Sequence, residues 1–394
     1  MNRTDVAVVG GGIVGLAFAW EAARRGRSVV LFERDGAARG GSVRNFGMVW
    51  PIGQPPGESY RRACRSRERW LELGRRAGTR AAECGSLHVA HADDEAAVIR
   101  EFADRAAGLG VACEYLSPRD VARRFPAVNP DGLAAGLYSP TELAVDPPAA
   151  VARLPRFLAE AYGVVYRPGQ AVVGVEMPLV RTAAGEVWHA DRVFVCSGID
   201  FETLFPAEFA RAGVVRCKLQ MMKTRPQPGG WALGPHLAGG LTLCHYPAFR
   251  VCASLPALQA RVADAMPAYV RHGIHVMASQ TAAGEIVIGD SHEYGNDVDP
   301  FDRAEIDDLI LAYLRRLVRL PDWAVAARWH GVYAKHPTRP LVTAEPQPGC
   351  TIISAPGGAG MTMSFGTAEA WWDDHAGDSP ARRGVQPPAP QEAE

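Results

Sequence analysis

The run Gly10-Gly11-Gly12-Ile13-Val14-Gly15 places glycines at its first, third and sixth positions, between an apolar segment and a helical one. Each glycine suits a different task. Gly10 permits a tight turn, Gly12 lets the amides around Ile13 and Val14 approach a pyrophosphate, and Gly15 lets a helix close on its strand. The helix N-terminus then faces the two phosphate charges. Glu33 ends the next apolar segment 18 residues after Gly15. An acid there accepts ribose hydroxyls. Strand, glycine run, helix, strand and terminal acid together define a dinucleotide site, and this piece alone leaves NAD and FAD both open.

A second glycine-rich run, Pro356-Gly357-Gly358-Ala359-Gly360-Met361-Thr362, follows a predicted strand and opens a predicted helix near the other end of the chain. Gly358 and Gly360 let amides approach a ligand, and the helix dipole points at it. Two such loops so far apart fit one long cofactor gripped at both ends. For FAD, the second dipole would stabilise the anionic edge of the reduced flavin.

The elements that must position these loops are those of an α/β protein. Asp5–Val9 and Ser28–Glu33 read as buried parallel strands flanking a helix over Ile13–Arg25. Residues 58–82, Asp94–Leu109, Pro118–Arg124 and Pro148–Tyr162 read as helices, followed by the strand Gly163–Arg167, a meander over 171–189 and the strand Arg192–Cys196. Short alternating segments dominate 214–290: Lys218–Thr224, Leu241–Tyr246, Phe249–Ser254, Gly273–Ser279 and Glu285–Gly289 read as antiparallel strands. The helix Asp302–Val318, strands Gly331–Tyr333 and Thr351–Ser354, and the helix Ala359–Asp374 complete the reading. The expected architecture is a discontinuous Rossmann-type FAD-binding domain (1–85, 146–214 and 326–376) joined to a mainly antiparallel α+β substrate domain (86–145 and 215–325). Residues 377–394, rich in Pro, Ala, Gln and Glu, are expected to form a disordered tail. Ligands in such a layout sit between the domains.

A net charge of −1 argues against a nucleic-acid or anionic-membrane partner. No uncharged apolar stretch is long enough for a membrane helix. The apolar run Val6–Trp20 is broken by four glycines and followed by Glu21, so it does not read as a signal peptide, and the expected compartment is the cytoplasm. The eight cysteines form no CxxC pair, so no metal site is expected and the thiols read as free. Only Lys218, Lys223 and Lys335 among 42 basic residues are lysines, which singles out Lys335 for its neighbourhood.

The two glycine loops and their spacing resemble the D-amino-acid oxidase, glycine oxidase and sarcosine oxidase superfamily of FAD-dependent amine oxidoreductases, over residues 4–375. Within it, Ser42–Gln54, Gly289–Tyr294 and Gly331–Pro337 resemble a bacterial branch associated with aminophosphonate breakdown. The resemblance implies that Glu33 and Arg34 bind the adenosine ribose region, that Ser42 and Arg44 approach the pyrophosphate, that Asn45 belongs to the cofactor site, and that Gly47 and Met48 lie beside the isoalloxazine ring. It implies that Val172 meets adenine through its backbone, that Ser197-Gly198 lies at the sheet edge near the cofactor, and that Gly358, Gly360, Met361 and Thr362 line the pyrimidine end. It also implies non-covalent FAD, since no Cys or His occupies a flavin-linking position, although Cys350 is close in sequence. Two departures stand out. Tyr333 falls where glycine and D-amino-acid oxidases place a carboxylate-binding arginine, and Val287 falls where sarcosine oxidases place a lysine that promotes reaction with oxygen.

The implied chemistry is hydride transfer from the carbon next to nitrogen to flavin N5, then hydrolysis of the imine to an aldehyde and an amine. The protein must place that C–H and bind the rest of the substrate. For a phosphonate such as N-methyl-2-aminoethylphosphonate, that means cationic and N–H donors. The candidates are Lys335, His292 and Tyr333 at the reacting end, and Trp50, Gln54, His245, Tyr246, Arg250, His336 and Arg339 around the substrate. The electron acceptor is oxygen or another partner. Two other readings stay open: a sarcosine, glycine or D-amino-acid oxidase, and a flavoprotein electron-transfer subunit of a larger dehydrogenase.

Overall fold

The structure, a computed structural model, describes residues 2–375. The tail assigned to 377–394 lies outside the described residues.

Asn2–Val9 and Val29–Glu33 are rich in β-branched residues and pair in parallel, with the helix Ile13–Arg24 between them in sequence. They form the centre of an eight-stranded sheet. On one side Asn2–Val9 pairs in parallel with Val187–Val195, which pairs in parallel with Cys350–Ser354. On the other, Val29–Glu33 pairs in parallel with Val165–Pro168. The start, middle and end of the chain therefore share one sheet.

The C-terminal helix Gly360–Asp374 packs on both Ile13–Arg24 and the helix Glu58–Ala77. Phe365 stands edge-on to Trp20 and Trp70, with centroids 5.5 and 5.1 Å away. A Cβ on Gly366 would come within 2.1 Å of the Arg62 carbonyl oxygen, so only glycine permits this approach. Buried Glu369 accepts from Arg65 and Arg69. These contacts fix the second glycine loop beside the first: a Cβ on Gly360 would sit 3.6 Å from Ile13 Cγ2.

The second sheet has nine strands in the order Glu293–Gly295, Val215–Thr224, Ile286–Gly289, Met277–Gln280, His236–Ala238, Ser86–Ala90, Ala135–Ser139 and Glu114–Leu116, with Val325–Lys335 also along Val215–Thr224. Only the pairing of His236–Ala238 with Ser86–Ala90 is parallel among the described pairs. Val325–Lys335, grouped on sequence with the nucleotide-binding segments, thus lies in the second sheet.

Two expected strands differ. Leu241–Tyr246 falls mostly within a helix, Gly240–His245, and Phe249–Ser254 gives way to a 3-10 turn over Pro247–Val251. Tertiary packing overrides a short alternation here. A Cβ on Gly240 would lie 2.1 Å from Glu95 Cδ, and one on Gly239 would lie 2.6 Å from the Tyr313 ring. The Leu241 amide donates to Tyr313 Oη at 3.2 Å, and Pro247 presets the next turn. The expected strand Gly273–Ser279 is ordered as a strand only over Met277–Gln280. No helix among the described residues is long and apolar enough to cross a membrane. The eight cysteines are free thiols.

Candidate active site

A cavity of about 950 Å³ is lined by both sheets and by both glycine loops. One end carries the first glycine loop. Gly10 has φ 106°, and a Cβ there would lie 2.3 Å from the Cys196 carbonyl oxygen. A Cβ on Gly15 would lie 1.9 Å from the Gly10 carbonyl oxygen, so Gly15 serves helix–strand packing and does not line the cavity. Gly12, Ile13 and Val14 do line it. The Ile13 amide donates to Ser42 Oγ at 2.9 Å, leaving the Ser42 hydroxyl proton available to a phosphate at the helix N-terminus. Asn45 pins this loop by donating to the Gly41 and Ser42 carbonyls and accepting from the Gly47 amide.

Glu33 is buried and accepts from the Gly11 and Asp35 amides at 2.9 and 3.0 Å. Arg34 pairs with Asp200 at 3.0 Å on the rim. Val172, Ser197, Gly198 and Arg44 line the same cavity, as do Gly358, Gly360 and Met361 from the second loop. Gly47, Met48, Trp50 and Thr362 do not. Gly47 turns against the Val145 carbonyl, and Met48 pairs with Ala144 in a small third sheet. Thr362 Oγ1 accepts from the Trp50 amide. The buried Trp50 ring packs behind Tyr246 at 6.1 Å.

The residues fit FAD. The glycine-lined cradle at the Ile13–Arg24 N-terminus has no side-chain cap of its own. Gln170 Oε1 and Ser354 Oγ, both from cavity-lining residues, are buried without a hydrogen-bond partner. Gly10, Gly12, Glu33 and Ser42 would hold the dinucleotide, and Gly358, Gly360 and Met361 the opposite end. Cys350 is fully buried in its strand and does not line the cavity.

The other end of the cavity is aromatic and basic. Tyr333 and Lys335 stand two apart on the Val325–Lys335 strand and so share a face. Tyr333 is opposite Cys217 in register, and burial, then Cys217, pushes its phenol well above the usual tyrosine range. Lys335 Nζ donates to Tyr294 Oη at 3.3 Å. Lys218 and Lys223 pair with Asp302 and Glu285 at 3.0 and 2.8 Å, whereas Lys335 has no acidic partner among the described residues. Leu219, Met221 and Val287 form an apolar cluster with Phe46, Trp329 and Tyr333 nearby.

His245 and Tyr246, at the end of the helix Gly240–His245, and His292, in the turn after Ile286–Gly289, reach this end, and Gln54 lines the cavity as well. Arg250 and Arg339 are exposed at the rim. Arg339 is held by the His336 ring and the Ala212 carbonyl at 3.1 and 2.8 Å. The sequence reading missed His275 and Asp290. Their backbones exchange hydrogen bonds of 3.2 and 2.9 Å across the ladder, which points both side chains into the same space. The alternation of Gly273–Ser279 and the acid beside Gly289 were the available signals. Neither reveals that the two face each other.

The family model for FAD-dependent oxidoreductases matches residues 5–371, and the chain belongs to that family. It is an FAD-dependent oxidoreductase. Glycine oxidase from Geobacillus kaustophilus is 26% identical over 207 residues, covering 50% of this chain and 55% of that enzyme. Its crystal structure superposes with a TM-score of 0.74 at 19% identity, covering 98% of this chain and all of that one. Human mitochondrial sarcosine dehydrogenase is 27% identical over 212 residues, covering 50% of this chain and only 23% of that protein. L-proline dehydrogenase from P. horikoshii has a TM-score of 0.76 at 20% identity, covering 95% of this chain and 94% of that one. The aligned part of the chain thus spans about half or less of these two curated relatives, and the structural likenesses speak to the fold.

Proposed function

We propose that this chain oxidises the C–N bond of a small aminophosphonate, such as N-methyl-2-aminoethylphosphonate. The observation that carries this reading is Lys335: the one lysine with no ion pair among the described residues lies in the cavity, on the same face as Tyr333. An unneutralised cation in a partly closed site favours an anionic ligand, and Tyr333 replaces the arginine suited to a single carboxylate.

FAD, when bound, takes up the two electrons released as the C–H and N–H bonds become a C=N bond. The chain's own contribution is placement. Lys335, with Arg250 and Arg339 at the rim, attracts and orients the anionic end. Leu219, Met221, Phe46 and Tyr333 supply an apolar wall that excludes water from the reacting carbon. Water then adds to the C=N bond and yields an aldehyde and an amine. The acceptor that reoxidises the enzyme is oxygen or another electron carrier. The names of the sequence relatives favour a second reading, oxidation of sarcosine, glycine or another amino acid. In that case the same cation would meet a carboxylate.

Anaerobic mixing of the yellow holoenzyme with a panel of amines tests both. Bleaching by N-methyl-2-aminoethylphosphonate at far lower concentration than by sarcosine, glycine or D-alanine is the expected result. The reverse order would sink the phosphonate reading.

A further inference from the structure

His245, His275 and His292 come from the end of a helix, a strand extension and the turn after Ile286–Gly289, and they converge as a stack. Ring centroids are 3.8 Å apart for His245 and His275, 4.6 Å for His245 and His292, and 5.1 Å for His275 and His292. The stack continues to Tyr294, whose ring is 6.0 Å from His292 and whose hydroxyl accepts from Lys335.

We propose that this histidine stack is the receptor for the dianionic tetrahedral end of the substrate, and that His292 takes up a proton when the dianion binds. The proposal rests on the phosphonate reading above and names the residues that would serve it.

The argument starts from a tautomer. His292 Nδ1 faces the Gly273 carbonyl oxygen at 2.9 Å, so Nδ1 carries the proton and donates. In the neutral ring Nε2 is then an acceptor, with nothing to offer an oxyanion. It becomes a donor only by gaining a proton. Burial pushes His292 down to about 4, against the pull of the Gly273 bond and with Lys335 acting in the same direction as burial. At neutral pH the ring is therefore uncharged, and a dianion beside it favours the charged form.

The neighbours fit this role. Burial, the other two rings, Lys335 and Arg250 hold His245 neutral, and burial, His292 and Lys335 hold His275 neutral. Asp290 Oδ1 lies 3.1 Å from His275 Nε2 without hydrogen-bond alignment. Burial pushes the Asp290 carboxyl well up, so in its protonated form it can donate to an anion rather than repel it. Burial likewise keeps the Tyr246, Tyr294 and Tyr333 phenols and the Cys217 thiol protonated.

The same three rings offer nitrogens within 4.8 Å of one another, a spacing open to a metal ion. Their planes, however, lie within 21–36° of parallel. In-plane lone pairs of near-parallel rings do not converge on one point at about 2.0–2.1 Å, the usual zinc–nitrogen distance. The nearby charge of Lys335 also disfavours a second cation.

Calorimetric titration of the holoenzyme with inorganic phosphate and with methylphosphonate tests the proposal. Run in two buffers of different ionisation enthalpy, at a pH where the probes are dianions, it should show uptake of about one proton per bound anion. His292→Asn keeps a donor for the Gly273 carbonyl and removes Nε2. It should retain flavin absorbance, lose the proton uptake and bind the probes about 10- to 150-fold more weakly. Three results would overturn the proposal: no binding of either probe, unchanged proton uptake in His292→Asn, or stoichiometric tightly bound metal whose removal abolishes anion binding. Probe binding with proton uptake, but no bleaching by any aminophosphonate, would leave this anion site standing and remove the aminophosphonate reading instead.

Discussion

The two ends of the cavity are built in opposite ways. The glycine-loop end uses backbone: glycines and a helix N-terminus from segments contiguous in sequence, with Glu33 and Ser42 as the few side-chain contributors, bonded to the Gly11 and Ile13 amides. The other end, the proposed substrate end, uses side chains brought from separate elements: Lys335 and Tyr333 from one strand, His275 and Asp290 from opposed strand extensions, and His245 from a helix end. A backbone site tolerates little change in residue size but much change in charge around it. A side-chain site has the opposite sensitivity.

That contrast is sharpest at the glycines. Gly12→Val should remove FAD entirely while leaving the fold, because its Cβ points toward Ser42 Oγ, 3.0 Å away, at the phosphate position. Gly15→Val should remove FAD and also lower Tm by many degrees, since its Cβ would meet the Gly10 carbonyl at 1.9 Å. Absorbance at the flavin band and thermal melts of both variants distinguish them. Stoichiometric flavin in purified Gly12→Val would misplace the phosphate site.

At the other end, Lys335→Met should raise the half-saturating aminophosphonate concentration about 10- to 150-fold, with little change for an uncharged amine of similar length. Flavin content should be unchanged. Stopped-flow measurement of the two half-reactions gives the competing outcome: normal reduction by substrate with slower reoxidation by oxygen would assign Lys335 to the acceptor half, the task for which Val287 offers no charge.

Acid should reveal the cost of burying imidazoles. His88 is fully buried beside Trp50 and Phe249, with neither ring nitrogen partnered, and burial alone pushes it from 6.5 down to about 3. Its folded value lies below its unfolded value, so the unfolded chain binds the proton more readily. Stability is therefore present above about pH 6.5 and declines as pH falls through the window toward 3. His88→Leu should reduce the loss of stability between pH 7 and 4.5 by about 2 kcal/mol. An unchanged Tm–pH slope would show that His88 does not contribute to it.

The smallest effect is expected at the rim. Arg339 is exposed and already engaged with His336 and the Ala212 carbonyl. Arg339→Gln should change half-saturation by only about 3-fold, and added salt should erase the difference. A loss as large as that of Lys335→Met would move the anion site outward.

The sequence by itself determined the strand–glycine–helix turn at Gly10–Gly15, because its requirements are local: a glycine run sets φ and close approach within one turn, whatever the remainder of the chain does. It also determined the α/β class and the return of the C-terminal helix to the same layer. Only the tertiary structure decided which side chains gather at the other end of the cavity. His275 and Asp290 are separated by 14 intervening residues and meet through strand register. His245 was read as a strand residue until packing of Gly239 and Gly240 against Tyr313 and Glu95 turned its segment into a helix. Burial, which sets the charge of every one of these groups, is a property of the assembled chain and not of any residue alone.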